Sequence, residues 1–121
     1  MSLRLIDYVE MHIKNVYGLS IKDYFGSDVN IVKAKGRDLR ILTCALVRGK
    51  FDNKPHLRAL DSIEATVLHI SNFDKCTVIE VCLDMRMGIN SEVFVVTEKD
   101  VYKVVRRWRK KKNNVQKFSM G

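Results

Sequence analysis

The stretch Ile41-Leu42-Thr43-Cys44-Ala45-Leu46-Val47 is apolar at every position except Thr43, and such a run sharply limits what the chain can fold into. Strands with one wet face alternate apolar and polar residues, whereas an unbroken apolar run is how a strand covered on both faces reads. Residues 39–48 are therefore predicted to form a central strand of a sheet with helices against it. A shorter β-branched segment, residues 29–33, precedes it. Between them Lys35-Gly36-Arg37-Asp38 has the composition of a hairpin turn.

The remaining elements follow from periodicity. Leu5, Ile6, Val9, Ile13 and Val16 recur at helical spacing, which predicts a first helix over residues 3–17, capped by Ser2 and ended by Gly18. Residues 19–25 form a short irregular or helical stretch. Pro55 suits the first turn of a helix running to about His69, with Leu57, Leu60, Ile63, Val67 and Ile70 on one side. Residues 77–83 and 92–96 read as strands around a turn at residues 85–90. Thr97 followed by Asp100 resembles a capping box, and Val101, Val104, Val105 and Trp108 make an apolar stripe, so the last element is predicted as a helix reaching Lys112. The expected fold is a single α/β (α+β) domain over residues 1–112, a mixed central sheet flanked by helices in the order α-β-β-α-β-β-α, with a polar tail over 113–121.

A length of 121 residues is enough for one domain with its own core and leaves no room for a second. Three cysteines, Cys44, Cys76 and Cys82, do not make a disulfide framework. No stretch approaches the roughly 20 apolar residues that cross a bilayer. Arg4, Asp7 and Glu10 also interrupt the region where a signal peptide would be apolar. The expectation is a cytoplasmic protein with no membrane partner, and a homodimer.

Charge is distributed unevenly. Of the net +8, residues 1–96 carry 13 Lys and Arg against 12 Asp and Glu, a balance of +1, while residues 97–121 carry 9 against 2, a balance of +7. Cations concentrated in the last fifth of a chain are the electrostatic footprint of a phosphate-binding element. The candidate nucleic-acid contacts are Lys99, Lys103, Arg106, Arg107, Arg109, Lys110, Lys111 and Lys112, and the expected partner is DNA or RNA, with DNA favoured. The alternatives are a solvated helix whose charges only match its dipole, or a regulatory protein whose basic helix docks on an acidic protein partner.

No cofactor is expected. His12, His56 and His69 are scattered, Cys76 and Cys82 lack the close pairing of a zinc site, and there is no glycine-rich phosphate loop. Carboxylates are the remaining route to chemistry, because Mg²⁺ takes oxygen ligands and can activate water against a phosphate. Glu10, Asp28 and Asp38 could converge, with Glu80 as a supplementary acid.

The layout resembles the restriction-endonuclease fold, which archaeal Holliday-junction resolvases share. A helix carrying Glu10, the segment Ser27-Asp28-Val29-Asn30-Ile31-Val32, a hairpin, a buried strand, a helix and two strands leading into a basic helix follow its pattern of elements. The resemblance implies Asp28 as the first metal-binding acid and Glu10 as the helix acid, with Mg²⁺ as cofactor of an active member. Such members carry an acid, one residue and a lysine on the strand after the hairpin. Here that strand reads Leu42-Thr43-Cys44-Ala45-Leu46-Val47-Arg48, without the pair, so the resemblance implies a degenerate member that binds nucleic acid and does not hydrolyse it.

Overall fold

The computed structural model describes residues 3–50, 64–85 and 88–107. Eight elements follow in chain order: α1 Leu5–Tyr17, α2 Ile21–Phe25, β1 Val29–Lys33, α3 Arg37–Lys50, β2 Glu64–Asn72, β3 Thr77–Met85, β4 Gly88–Val96 and β5 Val101–Arg106. The resemblance to restriction endonucleases rests on the order α-β-β-α-β-β-α; the observed order is α-α-β-α-β-β-β-β. The fold is α+β as expected, but the sheet is not mixed. Its strands lie in the order β1-β5-β4-β3-β2, and every pairing is antiparallel.

α1, β1 and β3 lie where the periodicity puts them, while β4 includes the predicted 92–96 but starts at Gly88, inside the predicted turn. Gly18 ends α1 in the left-handed region at φ 71°, with its N–H on Lys14 O. That conformation favours glycine because it has no Cβ. The start of α1 differs: residue 4 is the cap, and Asp7 Oδ2 accepts from the Arg4 N–H at 2.7 Å. Ser2 lies outside the described residues.

Three predicted elements are of another type. Residues 37–50 are helix α3, not a hairpin turn and a central strand. Ile41, Leu42 and Ala45 are buried while Leu39 and Leu46 are exposed, so the apolar run is read at helical spacing, with one face covered. Asp38 stands in its first turn, where a carboxylate suits the helix dipole. Residues 64–69, predicted as the end of a helix, belong to strand β2; residues 55–63 of that helix lie outside the described residues. The third correction concerns β5, which replaces the basic helix. Thr97 and Asp100 close a two-residue hairpin loop, with the Thr97 N–H on Asp100 O at 2.9 Å and the Asp100 N–H on Thr97 Oγ1 at 3.0 Å. Val101, Val104 and Val105 then favour a strand over a helix once β1 offers an edge to pair with.

The sheet separates two cores. On one face α3 packs Ile41, Leu42 and Ala45 against Ile79, Val81, Leu83 and Phe94. On the other, α1 packs Tyr8, Val9 and Ile13 against Val78, Val93, Val95 and Val104, with Tyr24 and Phe25 of α2 at the margin. A β-bulge at Leu68 sets the register of β2: Val67 pairs with Val81, but His69, not Leu68, pairs with Glu80. The extra residue turns His69 and Ser71 onto the α1 face. None of the three cysteines is paired, and among the described residues no helix is long and apolar enough to cross a membrane.

Candidate functional site

The α1 face carries a polar cluster sealed inside an apolar core. His12 of α1 and Glu80 of β3 have fully buried side chains. His12 Nδ1 lies 2.6 Å from Ser71 Oγ and Nε2 lies 3.2 Å from Glu80 Oε1. The other carboxylate oxygen of Glu80 accepts from the hydroxyls of Tyr17, at 2.7 Å, and Tyr24. The two tyrosine rings stack, with centroids 4.7 Å apart. Buried polar groups are tolerated when every one has a partner, and here both ring nitrogens and both carboxylate oxygens have one.

Burial pushes the Glu80 carboxyl upward, yet the bonds from His12, Tyr24 and Tyr17 outweigh it and hold it below the usual carboxylate range. Burial first, then the bond to Glu80, raises the Tyr17 and Tyr24 phenols above theirs. Serine, histidine and an acid in line invite comparison with an acyl-transfer triad. That chemistry needs a hydroxyl and imidazole that meet substrate, and a sealed His12 meets none. The cluster ties α1 and α2 to the sheet and fixes the position of Tyr24.

Beside Tyr24 the sheet forks. β4 and β5 pair only at Phe94–Lys103, Val95–Tyr102 and Val96–Val101. Beyond Lys103, β5 pairs with β1 alone, and residues 88–93 of β4 pair with β3 alone. A cleft of about 460 Å³ opens there, walled by residues 90–93 and 103–106 and floored by Tyr24 and Phe25. At its mouth the Arg106 guanidinium lies over the Phe25 ring, 5.8 Å from the centroid, and its Nε donates to Phe25 O at 2.7 Å.

The strand assignment redistributes the basic residues. Lys99 is exposed on the hairpin loop. It is about 20 Å from Arg106 at roughly 3.3 Å per strand residue. Lys103 faces the α3 side, held between Asp38 at 3.0 Å and Glu92 at 3.1 Å. Burial works against its ammonium, but the two carboxylates outweigh it and raise its pKa. Arg106 and Arg107 are exposed at the far end of β5, and the Arg107 N–H donates to Asp28 O at 2.7 Å. Helical spacing would have put Lys103, Arg106, Arg107 and Lys110 on one outward face; the strand sends Lys103 and Arg106 to opposite faces. Arg109, Lys110, Lys111 and Lys112 lie outside the described residues.

The predicted acids do not assemble. Glu10 is exposed on α1, and Asp28 is exposed before β1 with Lys22 at 3.9 Å. Among the described residues no three His, Cys, Asp or Glu side chains come together as a metal site. The sequence did carry signals for the cluster that does form. His12 sits in the α1 stripe between Val9 and Ile13, and Glu80 interrupts the apolar run from Val78 to Leu83.

No family model, curated protein or solved structure matches this chain.

Proposed function

We propose that this chain binds nucleic acid, DNA or RNA, through Arg106, Arg107 and the basic run that follows them to Lys112. One observation carries the reading: residues 97–121 hold a charge balance of +7, and β5 ends in two exposed arginines, Arg106 and Arg107. The local structure supports it. Arg106 is braced by Phe25 and not by a carboxylate among its described contacts, so its charge is left to meet a phosphate. Lys103 belongs to Asp38 and Glu92, and Lys99 stands at the other end of the strand; neither is placed in this interface.

Arginine suits the role because its planar fork matches phosphate oxygens and also stacks on bases. Phosphate contacts release counterions, so affinity should fall linearly on a logarithmic salt scale. The test is fluorescence anisotropy with labelled single-stranded and duplex oligonucleotides over a salt series. The expected outcome is binding at low salt with a slope that corresponds to several phosphates. Absence of binding to every oligonucleotide at low salt overturns the reading.

A further inference from the structure

The fork between β4 and β5 opens the sheet where its hydrogen bonds would otherwise continue. Three bonds fix which backbone groups face it. The Arg107 N–H donates to Asp28 O, and Val101 O accepts from the Ala34 N–H, so residues 101 and 107 turn toward β1. Successive residues of a strand present their backbone groups to opposite edges, so residues 102, 104 and 106 turn toward β4. On β4 the Ser91 N–H donates to Asn90 Oδ1, 3.1 Å away, instead of to a strand. Ser91, Val93 and Val95 therefore face β5, in agreement with the pairing of Val95 with Tyr102.

By the same alternation Phe94–Lys103 is a non-hydrogen-bonded pair, closed on this side by the Val104 N–H on Val93 O, so the next bonded pair, Ser91 with Arg106, is the one the fork separates. Ser91 and Arg106 are both exposed, and the peptide edges they turn toward each other line the open part of the cleft without pairing across it. Peptide groups are strong donors and acceptors, so two strand edges that face each other unpaired make the cleft a place where a ligand with complementary edges can bond.

The shape selects among ligands. The ladder is intact at Phe94–Lys103, so the cleft is a wedge only three β5 residues deep, about 10 Å at roughly 3.3 Å per residue. An added β-strand needs parallel edges over a longer span; a flat heterocycle needs one wedge. A nucleobase presents donors and acceptors along its edge and flat faces for stacking. The cleft offers peptide N–H and C=O groups on both walls, aromatic rings at its floor and the Arg106 plane at its mouth. Tyr24, held through its hydroxyl by buried Glu80, keeps the floor in place.

We infer that the β4–β5 fork is a nucleobase pocket, which takes one unpaired base of a single-stranded nucleic acid while the basic segment beyond Arg106 holds the adjoining phosphates. The inference rests on the nucleic-acid reading and adds a preference that the basic segment alone would not give. A paired base in a duplex cannot enter, whereas single strands splay bases onto aromatic and guanidinium planes.

The test uses the full ¹⁵N-labelled chain with adenosine monophosphate, which lacks the polyanionic backbone, and then anisotropy with a single-stranded oligonucleotide and its duplex. Expected are amide shift changes at Val93, Val104 and Arg106 on addition of the mononucleotide. In the anisotropy arm, Phe25→Leu should weaken single-strand binding about tenfold, the usual effect of losing one stacking partner, and leave duplex binding as it was. Arg106→Lys, which keeps the charge and loses the plane, should also lower the single-strand to duplex ratio. If oligonucleotides bind but the three amides do not respond and neither variant changes that ratio, the fork is not a base pocket and the nucleic-acid reading survives. If no oligonucleotide binds at low salt, both are overturned. Amide changes caused by an extended peptide and not by the mononucleotide would also overturn the inference.

Discussion

Against α3 the sheet presents Ile79, Val81, Leu83 and Phe94, an apolar layer with no ionisable side chain in its buried cluster. Against α1 and α2 it presents Val78, Val93 and Val95 together with buried Glu80, and beside them a cleft. The α3 side buries no charge in its core, and Lys103, paired with Asp38 and Glu92, stands at its margin. The other combines packing with a hydrogen-bonded charge that specifies how two helices sit, a use of burial that costs desolvation and is retained where position matters. The cleft lies on that second side, and Tyr24 belongs to both the cluster and the cleft floor.

The contrast is sharpest in the cost of truncation. Phe94, fully buried under α3, should lose about 4 kcal/mol on Phe94→Ala, through lost transfer energy and the cavity left behind. Urea unfolding with an unchanged slope is the measurement. A loss below about 1 kcal/mol would mean that the α3 side is loosely packed and the comparison fails.

On the other side, Glu80→Gln keeps the volume but removes the charge that three donors converge on. A loss of about 3 kcal/mol is expected, as when one partner of a buried charged pair is removed. This variant should also disturb the cleft: the Tyr24 ring should become mobile, seen as averaged ring resonances. Phe94→Ala should not do this. Equal Tyr24 mobility in the two variants would break the distinction between the faces.

The same cluster gives the fold a dependence on pH that the apolar core against α3 cannot supply. Glu80 is held below the ordinary carboxylate range, so its stabilisation is complete above that range and is lost as pH falls through the depressed folded value. Tyr17 and Tyr24 are raised, so their contribution is present below the ordinary phenol pKa near 10 and is lost as pH rises through the raised values. Stability should be flat at neutral pH and fall on both sides. In Glu80→Gln the acid-side fall should shrink. An acid limb of unchanged steepness would assign it to other carboxylates.

How much of this was legible follows the same division. α1 could be read because Leu5, Val9 and Ile13 repeat locally and Gly18 ends the repeat. β3 and β4 could be read because their β-branched runs admit no helical alternative. α3 was obscured because Ile41, Leu42, Ala45 and Leu46 fit a buried strand as well as one face of a helix. β5 was obscured because Val101, Val104 and Val105 fit a helical stripe, and its pairing partner Val29–Lys33 lies about 70 residues away, beyond any local pattern. The cluster was partly visible as a histidine in an apolar stripe and a glutamate in an apolar run. What joined them was the bulge at Leu68, which puts Ser71 on the face of His12 and is set by strand register. The fork likewise depends on where two strands part.

The smallest expected effect separates the cations by face. On the α3 side Lys103 is neutralised by Asp38 and Glu92, whereas Arg107 is exposed beyond the end of the sheet. If duplex DNA is held by the segment that starts at Arg106, Arg107→Ala removes one phosphate contact, and the slope of log affinity against log salt should become shallower by about 0.9. Lys103→Met removes an equal formal charge but one that already has two carboxylate partners, so the slope should stay as in the parent chain. Both slopes come from anisotropy titrations over one salt series. A loss of slope in Lys103→Met equal to that in Arg107→Ala would show that net charge alone, and not its placement on the sheet, governs binding.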